Sequence, residues 1–308
     1  RMLGDACHFY PRVTRKLGDQ LVMTAAMSCP ETVRLALFEE GGFAFQEARL
    51  ERMPELLKVY APEGLNSKEA LSVHQAFLDA VIRAATEKGS PAHMMAQIVS
   101  VAQSLKAIGQ DTWPMAVPFY LKSADARLMT AEPAEADPFN LLHALMGIVK
   151  AAGAENRDRL HTTIGDMEQA LEVELDWEGL GIRTTGDSAA AYRGMEAKWN
   201  TRWAETLNPV LMRWVAAQLS LSLFPFAGFG HDIAERAMIM GVRFATVRLA
   251  LMSACAVHDG VVPAPDQVRI IQSLSRVLDH LADPTLSLQI YDEPGWLREG
   301  RLRALMGD

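Results

Sequence analysis

The sequence predicts a mainly α-helical protein: a multi-helix bundle or irregular helical array with a small β-hairpin near its N-terminus. Three observations carry this. From Asn66 onward, apolar residues recur at three- and four-residue spacing through long stretches. Those stretches open on capping residues or proline and close on glycine. Near the N-terminus, by contrast, a short polar connection at Lys16-Leu17-Gly18-Asp19 lies between runs of strand-like residues.

The front segment is the hairpin, spanning Val13–Met27. Gly18-Asp19 occupies the turn, and Leu21, Val22 and Met23 lie in the returning strand. The second strand delivers Cys29, and Pro30-Glu31 opens a helix carrying Val33, Leu35, Ala36 and Leu37, since proline is tolerated in a first turn. A hairpin folds its ends together, so Cys7 and Cys29 can become neighbours. Each is equally readable as a small apolar filler, the common role of an unpaired cysteine, and no C-x-x-C motif is present. The Gly41-Gly42 pair reads as a turn, because no phosphate-binding glycine pattern follows it. Residues 47–60 read as a helix bent or interrupted at Pro54.

Asn66 followed by Glu69 forms a capping-box start, with Leu71, His74, Leu78, Val81, Ile82 and Ala85 on one face. Gly89 ends that helix. Ser90-Pro91 opens the next, whose stripe is Met94, Ile98, Ala102, Leu105 and Ile108. Pro114 and Pro118 make the helix over 111–129 either kinked or late to start, and residues 132–137 form a loop. Asp137-Pro138 caps a helix with Leu141, Leu142, Leu145, Ile148 and Val149 inside. Residues 155–175 are helical but charged and therefore peripheral, and the glycine-rich stretch 177–187 reads as a loop. Trp199, Trp203, Leu207, Leu211 and Trp214 make a stripe that is core rather than a cofactor box. His231-Asp232 starts another helix as a cap.

Composition bounds the function. With 49% hydrophobic and 22% charged residues, the 308-residue chain is a globular, folded polypeptide. A net charge of −8 argues against nucleic acid, which calls for a basic face. Three cysteines make no disulfide framework and point to a reducing, cytoplasmic setting; no signal peptide is visible. The most apolar stretch, 233–257, holds Glu235, Arg236, Arg243 and Arg248, so it reads as a buried helix and not a membrane span.

Several strings carry a resemblance. Cys7-His8-Phe9-Tyr10-Pro11-Arg12 and Ser28-Cys29-Pro30-Glu31 are similar to the C-x-x-Y-P-R and S-C-P-E segments of the flagellin lysine N-methylase family. Leu223-Phe224-Pro225-Phe226 resembles that family's L-F-P-F block, although Asn208-Pro209 replaces its usual acidic-Asn pair. Ser273-Leu274-Ser275-Arg276 with His280 resembles its S-x-S-R-x-x-x-H helix. The motifs run in order from Cys7 to His280, with little match between them. The opening Arg1-Met2-Leu3-Gly4 resembles the interior of a family passage, so an upstream segment is expected.

The resemblance implies methyl transfer from S-adenosylmethionine to lysine side chains of flagellin or another lysine-bearing protein. It also implies a [4Fe-4S] cluster held by cysteines of the N-terminal part. On that reading, residues 1–46 are a remnant of the cluster region and 47–308 the helical domain. Cys7 and Cys29 are the candidate metal ligands, an incomplete set for a cluster that needs about four thiolates; Cys255 sits in an apolar helix and suits packing. A lysine must lose its proton before it can attack, so a base or a desolvating pocket is required. His8, Tyr10 and Arg12 are the candidates at the catalytic centre, with Glu31 and His280 also available. Arg12 could hold the donor's carboxylate or pair with Glu31 to brace the hairpin. The residues binding S-adenosylmethionine are not identifiable from the sequence. Two other readings share these features: a non-enzymatic helical module that docks a protein, and a metal-binding relative without transferase activity.

Overall fold

A computed structural model describes residues 10–41, 58–128, 136–279, 290 and 299–308. Its front is the expected hairpin. Strands β1 (Arg12–Leu17) and β2 (Gln20–Ala25) pair antiparallel, with Leu17 opposite Gln20 and Arg12 opposite Ala25. Gly18 takes φ +60° in the turn, a left-handed conformation that glycine reaches at low cost. Its Cα lies against Ser67, whose hydroxyl accepts from the Asp19 amide at 2.9 Å and ties the turn to the helical body. Helix α1 (Pro30–Phe38) follows, as its proline start predicts.

Residues 58–60 depart from the helix expected there. Lys58–Tyr60 forms β3, which lies parallel to β1 and makes a three-stranded sheet of order β2-β1-β3. Val59 and Tyr60 are strand-favouring residues with an open β1 edge to pair with. The rest of the 47–60 reading, Gly42, Cys7, His8, His280 and most of the 132–137 loop lie outside the described residues.

Helix α2 (Ser67–Thr86) begins with the full capping box: Asn66 accepts from the Lys68 and Glu69 amides, and Glu69 accepts from the Asn66 amide. Its buried face is turned from the expected stripe. His74, Leu78 and Val81 of that stripe point inward together with Val73 and Phe77, while Ile82 and Ala85 face solvent. Both arcs satisfy helical spacing. Phe77, edge-on to Phe224 with centroids 4.9 Å apart, decides between them. Helix α3 (Pro91–Lys106) is buried along most of its length. A single 3-10 turn (Gln110–Thr112) leads into α4 (Trp113–Leu128), which starts late and carries Pro118 inside it.

Helix α5 (Pro138–Ala152) is capped by Asp137, and α6 (Ala154–Leu171) buries one face of an otherwise charged surface. The helix expected to reach residue 175 stops at Leu171 because Glu172 adopts φ +53°. A second hairpin then forms, β4 (Val173–Asp176) with β5 (Gly181–Thr184), where a loop was expected. Asp176 folds its side chain onto the amides of Glu178 and Gly179, an Asx turn that closes the connection.

Helix α7 (Ser188–Lys198) passes through a π-helical turn (Trp199–Trp203) into α8 (Ala204–Leu221). Trp199, Trp203 and Trp214 are all core, as the stripe predicts. Asp232 caps α9 (Ile233–Val257), and α10 (Ala264–Leu278) and α11 (Glu299–Met306) complete the described body. Helix α9 is the axis of the fold: α3, α6, α10 and α11 pack directly on it. Among the described residues it alone is long and apolar enough to cross a membrane, and it is wholly enclosed by the other helices.

Candidate functional site: an arginine-lined cavity

Charged residues in a helix buried on all sides need partners, because desolvating an unpaired ion is costly. Arg248 of α9 has a complete set. It donates to both carboxylate oxygens of Glu196 at 2.6 and 2.7 Å and lies 4.5 Å over the Trp199 ring. That arrangement is structural. Arg236 and Arg243, two turns apart on one face of α9, are different: both border a cavity of about 310 Å³ between the N-terminal sheet and the helical body.

The cavity is built from distant pieces. Alternation along β1 sends Val13 and Arg15 to it and Arg12 to the opposite side. Tyr60 of β3 and Ala26 complete the sheet wall. The opposite wall is the Leu221–Phe229 turn region with Ile239, Met240 and the two arginines, and Asp279 closes the end of α10. The Phe224-Pro225 peptide is cis, and the Phe224 carbonyl accepts from His74 Nδ1 at 2.7 Å. Burial pushes the His74 imidazole below its ordinary pKa, so it is the neutral donor that pins this turn.

Electrostatically the cavity stands apart from an acidic protein: three guanidiniums and one carboxylate line it, and Asp232 and Glu235 attract Arg236 from nearby. Asp279 belongs to Arg243, which donates to it at 2.8 Å and also to the Leu278 carbonyl, with its guanidinium 4.5 Å from the Phe229 ring centroid. Arg236 is held by backbone: Nη1 donates to the Pro225 carbonyl at 2.7 Å and Nε to Gly230 at 3.3 Å. Arg15 donates to the Tyr60 phenol, and its buried Nε has no partner among the described residues. Burial lowers the pKa of both Arg15 and Arg236, the signature of cations held away from water with incomplete compensation. An anion is the species such a cavity stabilises.

The model of the FliB lysine N-methylase C-terminal domain matches residues 96–289. The chain belongs to this family. No curated protein and no solved structure matches it. The matched region of this methylase-family chain contributes the Phe224–Phe229 turn, Arg236, Arg243 and Asp279 to the cavity, while Arg15 and Tyr60 come from before it. The L-F-P-F string, the hairpin and the end of the S-x-S-R helix, far apart in sequence, therefore border one space.

The individual candidates fare unevenly. Tyr10, 48% exposed, and Arg12 sit at the hairpin's entry, away from the cavity lining. Glu31 pairs with Arg34 of its own helix at 2.8 Å, so the expected Arg12–Glu31 brace is replaced by a local i,i+3 pair. Cys29 is half-buried and free at the start of α1. Pro11 accepts from the Ala26 amide, which continues the clip toward Cys29, but the approach of Cys7 lies outside the described residues. Cys255 is sealed in α9, where burial pushes its thiol up. Among the described residues no cluster of three His, Cys, Asp or Glu side chains could hold a metal ion. The sequence reading missed Arg15, Tyr60, Arg236 and Arg243. The signal is present in the sequence: Arg236 and Arg243, seven residues apart in a mostly apolar helix that also holds Glu235 and Arg248.

Proposed function

We propose that the protein is a flagellin lysine N-methylase-type enzyme that transfers a methyl group from S-adenosylmethionine to lysine side chains, and that the arginine-lined cavity serves this reaction. The observation that carries the reading is the family match over most of the helical body. When bound, S-adenosylmethionine supplies a methyl carbon made electrophilic by its sulfonium.

The cavity's donor set suits such a molecule. Guanidiniums at Arg15 and Arg236 match a carboxylate, and the rings of Phe224, Phe229 and Tyr60 offer apolar surface for the remainder. The sheet covers one side. The described residues do not by themselves fit an iron–sulfur cluster: of their two free thiols, one is enclosed in the core. A cluster would draw on Cys29, Cys7 and thiolates beyond them, and no step is routed through it.

The test is transfer of labelled methyl from S-adenosylmethionine to purified flagellin by the full-length protein, with the modified lysines located by mass spectrometry. A stable complex with flagellin and no label in it would overturn the enzyme reading in favour of a binding module.

A further inference from the structure

We propose that the cavity binds a small organic carboxylate that bridges Arg15 of the N-terminal sheet and Arg236 of α9, and that this bridge fastens the sheet to the helical body. The identity of the ligand, the amino-acid end of the methyl donor, rests on the methylase reading; the demand for an anion does not.

Three observations converge on the bridge. First, the two walls carry like charge. Arg15 stands on the sheet and Arg236 on the helix with Tyr60 near both; Arg236 is also attracted by Asp232 and Glu235, whereas the group acting on Arg15 is Tyr60. Asp279 does not relieve them, because it is engaged by Arg243. A largely buried guanidinium balanced only by a phenol gains from the arrival of an anion.

Second, the donors are arranged for sharing. Backbone carbonyls fix Arg236 at the cavity through Nη1 and Nε. Arg15 holds an unpartnered, buried Nε. A carboxylate has two oxygens and can accept from both guanidiniums at once.

Third, the space exceeds what a bare inorganic anion needs. About 310 Å³ with Phe224, Phe229 and Met240 in its walls calls for a ligand whose charged end is joined to an apolar or ring-bearing body. The sheet's turn is already tied down through the Asp19 amide and Ser67, so the ligand acts on the other end of β1, where Val13 and Arg15 meet the cavity.

Calorimetric titration of the full chain with S-adenosylhomocysteine and with 5′-methylthioadenosine, which shares the ring but lacks the carboxylate, tests this. Arg15→Met and Arg236→Met should each weaken S-adenosylhomocysteine at least about tenfold while leaving methylthioadenosine unchanged. Amide hydrogen exchange on the wild-type protein reads the bridge without any substitution. S-adenosylhomocysteine should slow exchange over residues 13–25, and methylthioadenosine should not. Undiminished S-adenosylhomocysteine affinity in either variant, equal losses for both ligands, or unaltered hairpin exchange each overturns the proposal. If methyl transfer to flagellin persists in those cases, the methylase reading stands and the cavity assignment alone falls. Failure of the wild type both to bind S-adenosylhomocysteine and to transfer methyl overturns the two together.

Discussion

Removing the Glu196 carboxylate exposes how much the core depends on paired charge. Arg248 retains 3% of its side-chain exposure and Glu196 24%, so the pair is enclosed on the cationic side and nearly so on the other. The guanidinium is further sealed by the Trp199 ring and by the chain at Gly307, where an added Cβ would lie 2.5 Å from its Cζ. Glu196→Ala therefore strands a cation that cannot turn to water. Breaking one side of a buried pair costs about 3–5 kcal/mol, and the partial exposure of Glu196 places the expected loss near the lower end, about 3 kcal/mol. Urea unfolding measures it. Arg248→Met alone should cost less, since the carboxylate left behind can reach solvent or take up a proton, and the double substitution should recover part of the Glu196→Ala loss. The pH dependence has a defined sign. Burial pulls the Glu196 carboxyl up, but its bonds to Arg248 and Tyr192 outweigh that and hold it below its ordinary value. Its contribution is thus complete above the unfolded pKa of about 4.3 and is lost as pH falls through the folded one. A Glu196→Ala cost under about 1 kcal/mol, the value of an exposed pair, would refute the picture of a dry guanidinium.

Other outcomes follow from the same structure. His93 bridges Asp308 at 2.8 Å and Asp125 at 2.9 Å, and these bonds raise its pKa to about 9. Its stabilisation is complete below about 6.5, the unfolded value, and fades as pH rises through 9, so His93→Gln should flatten the alkaline limb of a pH–stability curve measured by urea unfolding. Gly18→Ala should destabilise by about 2 kcal/mol in thermal or urea unfolding, since φ +60° disfavours a side chain and its Cβ would collide with Ser67 Oγ. Asn66→Ala should cost about 1 kcal/mol through loss of the cap. A maleimide should label Cys29 in the native protein and reach Cys255 only after unfolding, as read by mass spectrometry.

Local rules made much of the architecture legible. The Gly18-Asp19 turn, the Asn66–Glu69 box, the Asp137 and Asp232 caps and the tryptophan core each follow from chemistry within a few residues. Where two local solutions were equally good, the sequence could not choose. Helix α2 offers two apolar arcs, and a tertiary contact with Phe224 selects one. The β4–β5 hairpin is four residues per strand, too short for alternation to outweigh the helical pattern running into it. The cavity was less legible still. Arg12 and Arg15 look alike in the sequence, and it takes the strand's register to send one out and the other in. Arg236 and Arg243 read as arguments against a membrane span, and their meeting with Arg15 depends on a fold that joins residues more than two hundred positions apart.

The enclosure of α9 bears on how the chain is made. Its residues leave the ribosome after α3 and α6, which lean on it, and before α10 and α11, which cover it. Until residue 257 emerges, the first three quarters of the polypeptide lacks the complete helix on which α3 and α6 pack. A product halted after α8 would present the inner surfaces of several helices to the medium, making it a client for chaperones and proteases in place of a smaller folded domain.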